Sequence, residues 1–179
     1  MHRGTPRRGS EGKPIMPLAE EFIEVKTLRR LSDAHVRKLA AIARPQECPA
    51  GALLFREGDD STLIFVLLSG EVSLEIQMQD RGPTAIYAAG PGELLGWSPV
   101  LGRHAMTATA RATTPCRLAI LEAARVNELI DQDPQLGLAF LRQLAVIVSD
   151  RLSATRRCLA SVHASFDSPR MNLLREGSD

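Results

Sequence analysis

The chain has 179 residues, with 22 lysines and arginines against 21 aspartates and glutamates, which gives a formal net charge of +1. This length suits one domain with tails, and a charge so near zero argues against a surface built to cover nucleic acid. No apolar run reaches the roughly 18 residues that a membrane-spanning helix needs. The three cysteines have no CxxC spacing, which argues against a disulfide framework or a zinc site and favours a cytoplasmic protein.

The N-terminal part is predicted to be a tail followed by two short helices. Residues 1–16 are rich in Gly, Pro, Arg and Ser, which predicts a disordered basic tail, either solvated or acting as a partner- or nucleic-acid-binding arm. Across residues 17–44, apolar residues recur at helical spacing with a break at Leu31. Ser32 or Asp33 is a suitable N-cap for the second helix.

Residues 45–121 have the pattern of an antiparallel β domain. Turn residues separate short apolar segments, which predicts strands at 53–55, 63–68, 71–78 and 84–89 and one or two more within 107–121. Gly58 and Gly70 fall at predicted hairpin tips, where a positive φ is accessible to glycine. Several short strands at this spacing indicate a sandwich or a barrel.

Residues 122–165 are predicted to be helical and to carry a dimer interface. A short helix closes near Ile130, and a long one begins with Asp133 as N-cap and Pro134 in the first turn. The long helix has a 3-4 apolar alternation over more than three heptads, formed by Leu138, Leu141, Ala145, Val148, Leu152, Thr155, Leu159 and Val162. This seam predicts a homodimer through residues 134–162, and residues 166–179 are predicted to form a flexible tail.

Five segments carry a resemblance to a known family. They are LSDAHVRKLA, AGALLFREGD, LIFVLLSGEVSLEI, GPGELLG and TATARATTPCRLAIL, in that order. Together they resemble the cyclic nucleotide-binding domain family, which includes catabolite activator protein-like sensor domains. The resemblance implies an α+β fold, in which an antiparallel β jelly-roll barrel is flanked by short N-terminal helices and a long C-terminal dimerisation helix.

The resemblance places a phosphate-binding cassette on GPGELLG, where family members have a short helix. It implies that Gly92 lets the backbone approach a ligand and that Glu93 accepts a hydrogen bond from a ribose 2′-hydroxyl. It also implies that Leu94 and Leu95 supply apolar walls and backbone contacts. The alternative for Glu93 is an exposed acidic residue at a helix N-terminus.

The cassette departs from the family pattern at one position. The family usually has an arginine three residues before the threonine of its Ala-Thr pair, and Met106 stands there in this chain. A methionine cannot neutralise a phosphate, so affinity for a cyclic nucleotide is expected to fall. Thr107, Arg103 with His104, and Arg111 are candidate replacements, and a solvated position is the alternative for each arginine.

The resemblance also involves the long helix and the single tryptophan. Thr155 and Arg156 fall where family members place polar groups that touch the purine across the dimer. Thr155 is equally explained as a polar register position in the seam. Arg151 is most simply a solvated helix residue, and the alternative is that it reaches the ligand or a partner carboxylate. Trp97 either stacks on a base or packs under the cassette.

These features predict a regulatory domain and not an enzyme. No spacing suggests a nucleophile with its base or a metal site, and no cofactor is expected. The predicted function is to bind a small anionic ligand, with a cyclic nucleotide such as cAMP or cGMP as the leading class, and to signal through the dimer helix as transcription regulators of the family do. The alternative is a ligand-free module for dimerisation or protein docking. No membrane association is expected, and no direct DNA binding, because no helix-turn-helix is recognised after the long helix.

Overall fold

A computed structural model describes residues 17–25, 28, 30–79, 82–103 and 105–164, with side chains to residue 160. The predicted tails and His104 lie outside these residues. The elements are α1 Leu18–Ile23, α2 Asp33–Ala41, β1 Arg44–Cys48, β2 Leu53–Phe55, β3 Leu63–Ser69, β4 Val72–Met78, β5 Gly82–Ala89, β6 Leu94–Leu95, a 3₁₀ helix Ser98–Leu101, β7 Thr109–Ala112, β8 Cys116–Glu122, α3 Ala123–Gln132 and α4 Pro134–Ala164. None of the helices among them is long and apolar enough to cross a membrane.

The eight strands form two four-stranded antiparallel sheets. Their orders are β1-β8-β3-β6 and β2-β7-β4-β5. This arrangement with its flanking helices confirms the predicted antiparallel β-roll. Strand β1 was not predicted, because its sequence RPQEC lacks apolar alternation and four of its five residues are exposed. Its place at a sheet edge explains how Pro45, which cannot donate a backbone hydrogen bond, is accommodated.

Strand β3 separates two apolar cores. Ile64 and Val66 face a core shared with all four α-helices. Phe65 and Leu67 alternate with them and face the interior of the roll. Because both faces of β3 are buried, its sequence is a continuous apolar run.

Helix α4 begins where the sequence predicts and packs on the roll with one side only. Asp133 caps it, because its Oδ1 accepts a hydrogen bond from the backbone N–H of Leu136 at 3.1 Å. One side of the helix is buried through Leu136, Phe140, Leu144 and Ile147. Four leucines of the predicted seam are exposed, with between 41% and 52% of their surface accessible: Leu138, Leu141, Leu152 and Leu159.

Candidate ligand-binding site

A cavity of about 220 Å³ lies between the β-roll and the middle of α4. The roll contributes apolar side chains from β2, β4 and β5, and two connecting segments, 96–98 and 106–108, close its sides. Helix α4 forms the remaining wall with Val148, Arg151, Leu152 and Thr155. The volume lies below the roughly 300–1,000 Å³ of pockets for drug-sized ligands. The cavity therefore suits a small ligand, or a larger one if α4 moves.

Arg151 is the one charged side chain that lines this cavity within the described residues. Its Nη2 donates a hydrogen bond to the carbonyl of Leu94 at 2.6 Å. Its guanidinium carbon lies 5.3 Å from the centre of the Tyr87 ring, within cation–π range. The Nε–H is buried and has no hydrogen-bond partner in the described structure. Burial lowers the pKa of Arg151, and the nearby Glu93 opposes that change.

Trp97 lines the same cavity from the start of the 3₁₀ helix. Its ring packs against the core that β3 shares with the helices. Its Nε1–H is buried and, like the Nε–H of Arg151, finds no acceptor among the described residues. Trp97 therefore packs against a core and also forms part of the cavity wall.

Glu93 stands next to the cavity and does not line it. Its carboxylate accepts hydrogen bonds from the hydroxyl of Tyr87 at 2.9 Å and from the backbone N–H of Gly90 at 3.4 Å. Burial, followed by the hydrogen bond to Glu93, raises the pKa of Tyr87 to about 12. Tyr87 therefore stays neutral near pH 7, and Glu93 reaches the cavity only through its contacts with that ring and its attraction to Arg151.

The segment predicted as a cassette helix is a turn followed by a short strand, which corrects that expectation. The N–H of Gly92 bonds to the carbonyl of Leu67 at 2.6 Å, which starts the pairing of β6 with β3. Leu94 is buried toward the helices and Leu95 toward the interior of the roll. Because the two leucines are buried in cores on opposite faces, this segment forms a strand. The short helix follows at Ser98.

Met106 and Thr107 both line the cavity. Met106 is 3% exposed, so the position that the resemblance assigns to a phosphate-binding arginine does face the site and is apolar. Thr107 is exposed at the rim. Arg103 is also exposed, but it is not among the lining residues.

Arg111 lies on the outer surface of β7, away from the cavity. Its neighbours Ala110 and Ala112 are buried, so strand alternation turns Arg111 outward. Its guanidinium contacts the carboxylate of Glu75 at 3.7 Å and the carbonyl of Gly51 at 3.5 Å. This placement provides no contact between Arg111 and a ligand in the cavity.

The two candidates on α4 are placed differently. Thr155 lines the cavity, whereas Arg156 is exposed and does not. The structure thus brings Thr107 and Thr155 together with Met106, and adds Arg151 and Trp97. The periodicity of α4 places Arg151 just off the seam, and from that position the sequence favours a solvated side chain over one that reaches the cavity.

Comparison with known proteins identifies the family. Residues 45–133 match the sequence profile of the Cyclic nucleotide-binding domain family. A solved cyclic nucleotide-binding domain from Methylobacillus flagellatus has the same fold, with a TM-score of 0.73, 23% identity, and coverage of 80% of this chain and 83% of that one.

Two curated relatives show how such a domain is used in longer proteins. A CRP-like cAMP-activated global transcriptional regulator of Mycobacterium tuberculosis is 24% identical over 66% of this chain and 51% of its own length. A lysophospholipase of Neurospora crassa is 30% identical over 59% of this chain and 7% of its own length. The chain therefore spans about half or less of these two relatives. Through residues 45–133, it belongs to the cyclic nucleotide-binding domain family.

Proposed function

We propose that this chain is a ligand-sensing regulatory domain that binds a small anionic ligand in the cavity beneath α4. Family membership makes a cyclic nucleotide such as cAMP or cGMP the leading class. The observation that carries the proposal is Arg151, a partly buried cation in a cavity with no other charged side chain among its described lining residues. A partly buried charge without a full set of partners is costly, so its retention at a cavity wall favours a binding role.

The position of Arg151 on α4 supplies a route for signalling. Its hydrogen bond to the Leu94 carbonyl ties α4 to β6. An anion that pairs with the guanidinium competes with this carbonyl and so favours a different seating of α4. The ligand shifts the helix only as far as its affinity differs between the two arrangements.

We also propose that α4 pairs with the same helix of a second copy. The four exposed leucines of α4 all occupy positions of the predicted 3-4 seam, and such a seam is complementary to itself in a two-fold dimer. Changing both Leu138 and Leu141 to Glu should yield a monomer in sedimentation equilibrium. Arg142→Glu is the matched control, because Arg142 is exposed, directly follows Leu141 and lies outside the seam, and this variant should remain dimeric. A wild-type chain that is monomeric at tens of micromolar would contradict the dimer.

The sensing proposal is tested by titrating the full chain with cAMP and cGMP while recording thermal stability. A ligand at 100 times its Kd stabilises the folded state by about 2.7 kcal/mol, a shift of several degrees for this size. For a nucleotide that binds, Glu93→Ala tests the ribose role that the resemblance implies. An unchanged Kd in that variant would remove Glu93 from the site.

A ligand-free module for dimerisation or docking is the second candidate. The small cavity volume favours it, as does the engagement of Glu93 by Tyr87 and Gly90. A chain that dimerises through α4 and gives no stability shift with any cyclic nucleotide or other small anion would support this second function.

A further inference from the structure

Two side chains that line the cavity each carry a buried N–H donor that has no acceptor among the described residues. The donors are the Nε1–H of Trp97 and the Nε–H of Arg151, and both side chains line the same cavity. Buried donors in folded proteins are nearly always satisfied, so each unsatisfied one calls for a missing partner. Here both missing partners are acceptors, and one of the donors belongs to a cation.

The lining residues offer no acceptor of matching charge. None of those described is an aspartate or a glutamate, and the hydroxyl of Tyr87 is already donated to Glu93. The other hydroxyls belong to Ser98, Thr107 and Thr155. The rest of the wall is apolar and includes Phe55, Leu74, Ile86, Met106, Ala108, Val148 and Leu152.

We propose that the cavity takes a small anion, in which one carboxylate or phosphate oxyanion accepts from Trp97 and Arg151 and an apolar, ring-sized body fills the remainder. This inference rests on the proposed sensing function and narrows its ligand class. A cyclic nucleotide fits this wall less well, because no carboxylate of the cavity faces its ribose hydroxyl. The volume of about 220 Å³ likewise suits a compact ligand.

The test uses the full chain and four probes: phenylacetate, phenyl phosphate, the neutral isostere phenylacetamide, and cAMP. Trp97 is the only tryptophan in the sequence, so its fluorescence reports directly on the cavity. Probes of this size bind in the millimolar range, so titrations extend to about 20 mM. We expect a saturable response to at least one of the two phenyl anions, and binding at least tenfold weaker for phenylacetamide. The responses to phenylacetate and phenyl phosphate distinguish a carboxylate from a phosphate ligand.

Three variants connect binding to the two donors. Arg151→Met should abolish the anion response, and Arg151→Lys, which keeps a charge but lacks Nε, should weaken it at least tenfold. Trp97→Phe keeps a ring and removes the N–H, and calorimetry should show about tenfold weaker binding. Arg157→Gln, which removes an exposed arginine of α4 that does not line the cavity, should bind as the wild type does. Circular dichroism confirms that each variant is folded.

The outcomes separate this inference from the sensing function. Binding of cAMP that is unaffected by Arg151→Met and Trp97→Phe would overturn the inference and leave the sensing function intact. Equal affinity for phenylacetate and phenylacetamide would also overturn it, since the charge would then be irrelevant. Equal losses of binding in the Arg157 and Arg151 variants would also overturn it, because surface charge alone would then explain the effect. No response to any probe, cAMP included, would overturn both proposals.

Discussion

Replacing Arg151 with methionine should leave the stability of the fold nearly unchanged, because large opposing contributions disappear together. The variant loses a charge-assisted hydrogen bond to Leu94, which contributes about 1.5–3 kcal/mol. It also loses the contact with the Tyr87 ring, which contributes roughly 0.5–2 kcal/mol. Against these losses, the desolvation penalty of the guanidinium, on the order of several kcal/mol, is removed. Methionine keeps a flexible apolar stem against the cavity wall.

The expected net change in unfolding free energy is therefore within about 2 kcal/mol of zero, with either sign. For a chain of this size, that corresponds to a Tm within about 6 °C of the wild type. Urea denaturation followed by circular dichroism measures it, with Phe140→Ala as the reference for a true core loss of about 3–5 kcal/mol. Phe140 is 4% exposed on the buried side of α4. A loss in Arg151→Met as large as that of the reference would refute the reasoning, because the guanidinium would then be fully compensated by the fold.

Three further changes test the turn, the polar pair and the helix cap. Gly70→Ala should be markedly less stable than Gly58→Ala in urea denaturation. Both glycines have a positive φ, but a Cβ at Gly70 would lie 2.5 Å from the carbonyl oxygen of Pro115, whereas a Cβ at Gly58 would have no atom within 4 Å. Equal losses of stability in the two variants would contradict this prediction. Tyr87 is the only tyrosine in the sequence, so absorbance at 295 nm reports its titration alone. The midpoint should lie near pH 12 in the folded chain and near pH 10 in urea. Glu93→Gln should lower the pKa of Tyr87 in the folded chain only partly, because burial raises that pKa more than the hydrogen bond to Glu93 does. The raised pKa means that the contribution of Tyr87 to stability is complete below pH 10 and is lost as the pH rises toward 12. Hydrogen bonds from Lys38 and from the backbone N–H of Leu136 lower the pKa of Asp133. The contribution of Asp133 to stability is therefore present above about pH 4 and is lost as the pH falls below that value. In Asp133→Asn, the Tm should depend less on pH in this acidic range.

The sequence predicts elements well where a local rule and the tertiary environment agree. The caps at Ser32 and Asp133 are formed as expected, because a short polar side chain just before an amphipathic helix can accept a hydrogen bond from a free N–H of the first turn. Strand β3 is apolar over residues 63–68 because it is buried on both faces, and this apolar run predicts the strand correctly. Strand β1 escapes prediction because an exposed edge strand needs no apolar pattern.

The candidate site is harder to predict because its walls come from distant parts of the chain. Motif position places Glu93 in a ligand role, yet its actual partner, Tyr87, lies on the preceding strand and becomes visible only when β5 and the cassette turn meet. The same limit applies to Arg151, whose contact with Leu94 spans 57 positions in the sequence. Periodicity assigns a residue to a face of a helix, but it does not show what lies opposite that face.

The two proposed activities of α4 share one stretch of helix. Val148, Leu152 and Thr155 belong to the predicted dimer seam, and all three also line the cavity. In the proposed dimer, a ligand in the cavity and the partner helix therefore contact neighbouring surfaces of the same two turns. Arg151 lies between these positions and holds the helix to β6. Coupling between ligand and dimer then needs no long-range pathway, because a small change in the seating of these turns alters both contacts, and thermodynamic linkage requires the effect to be mutual.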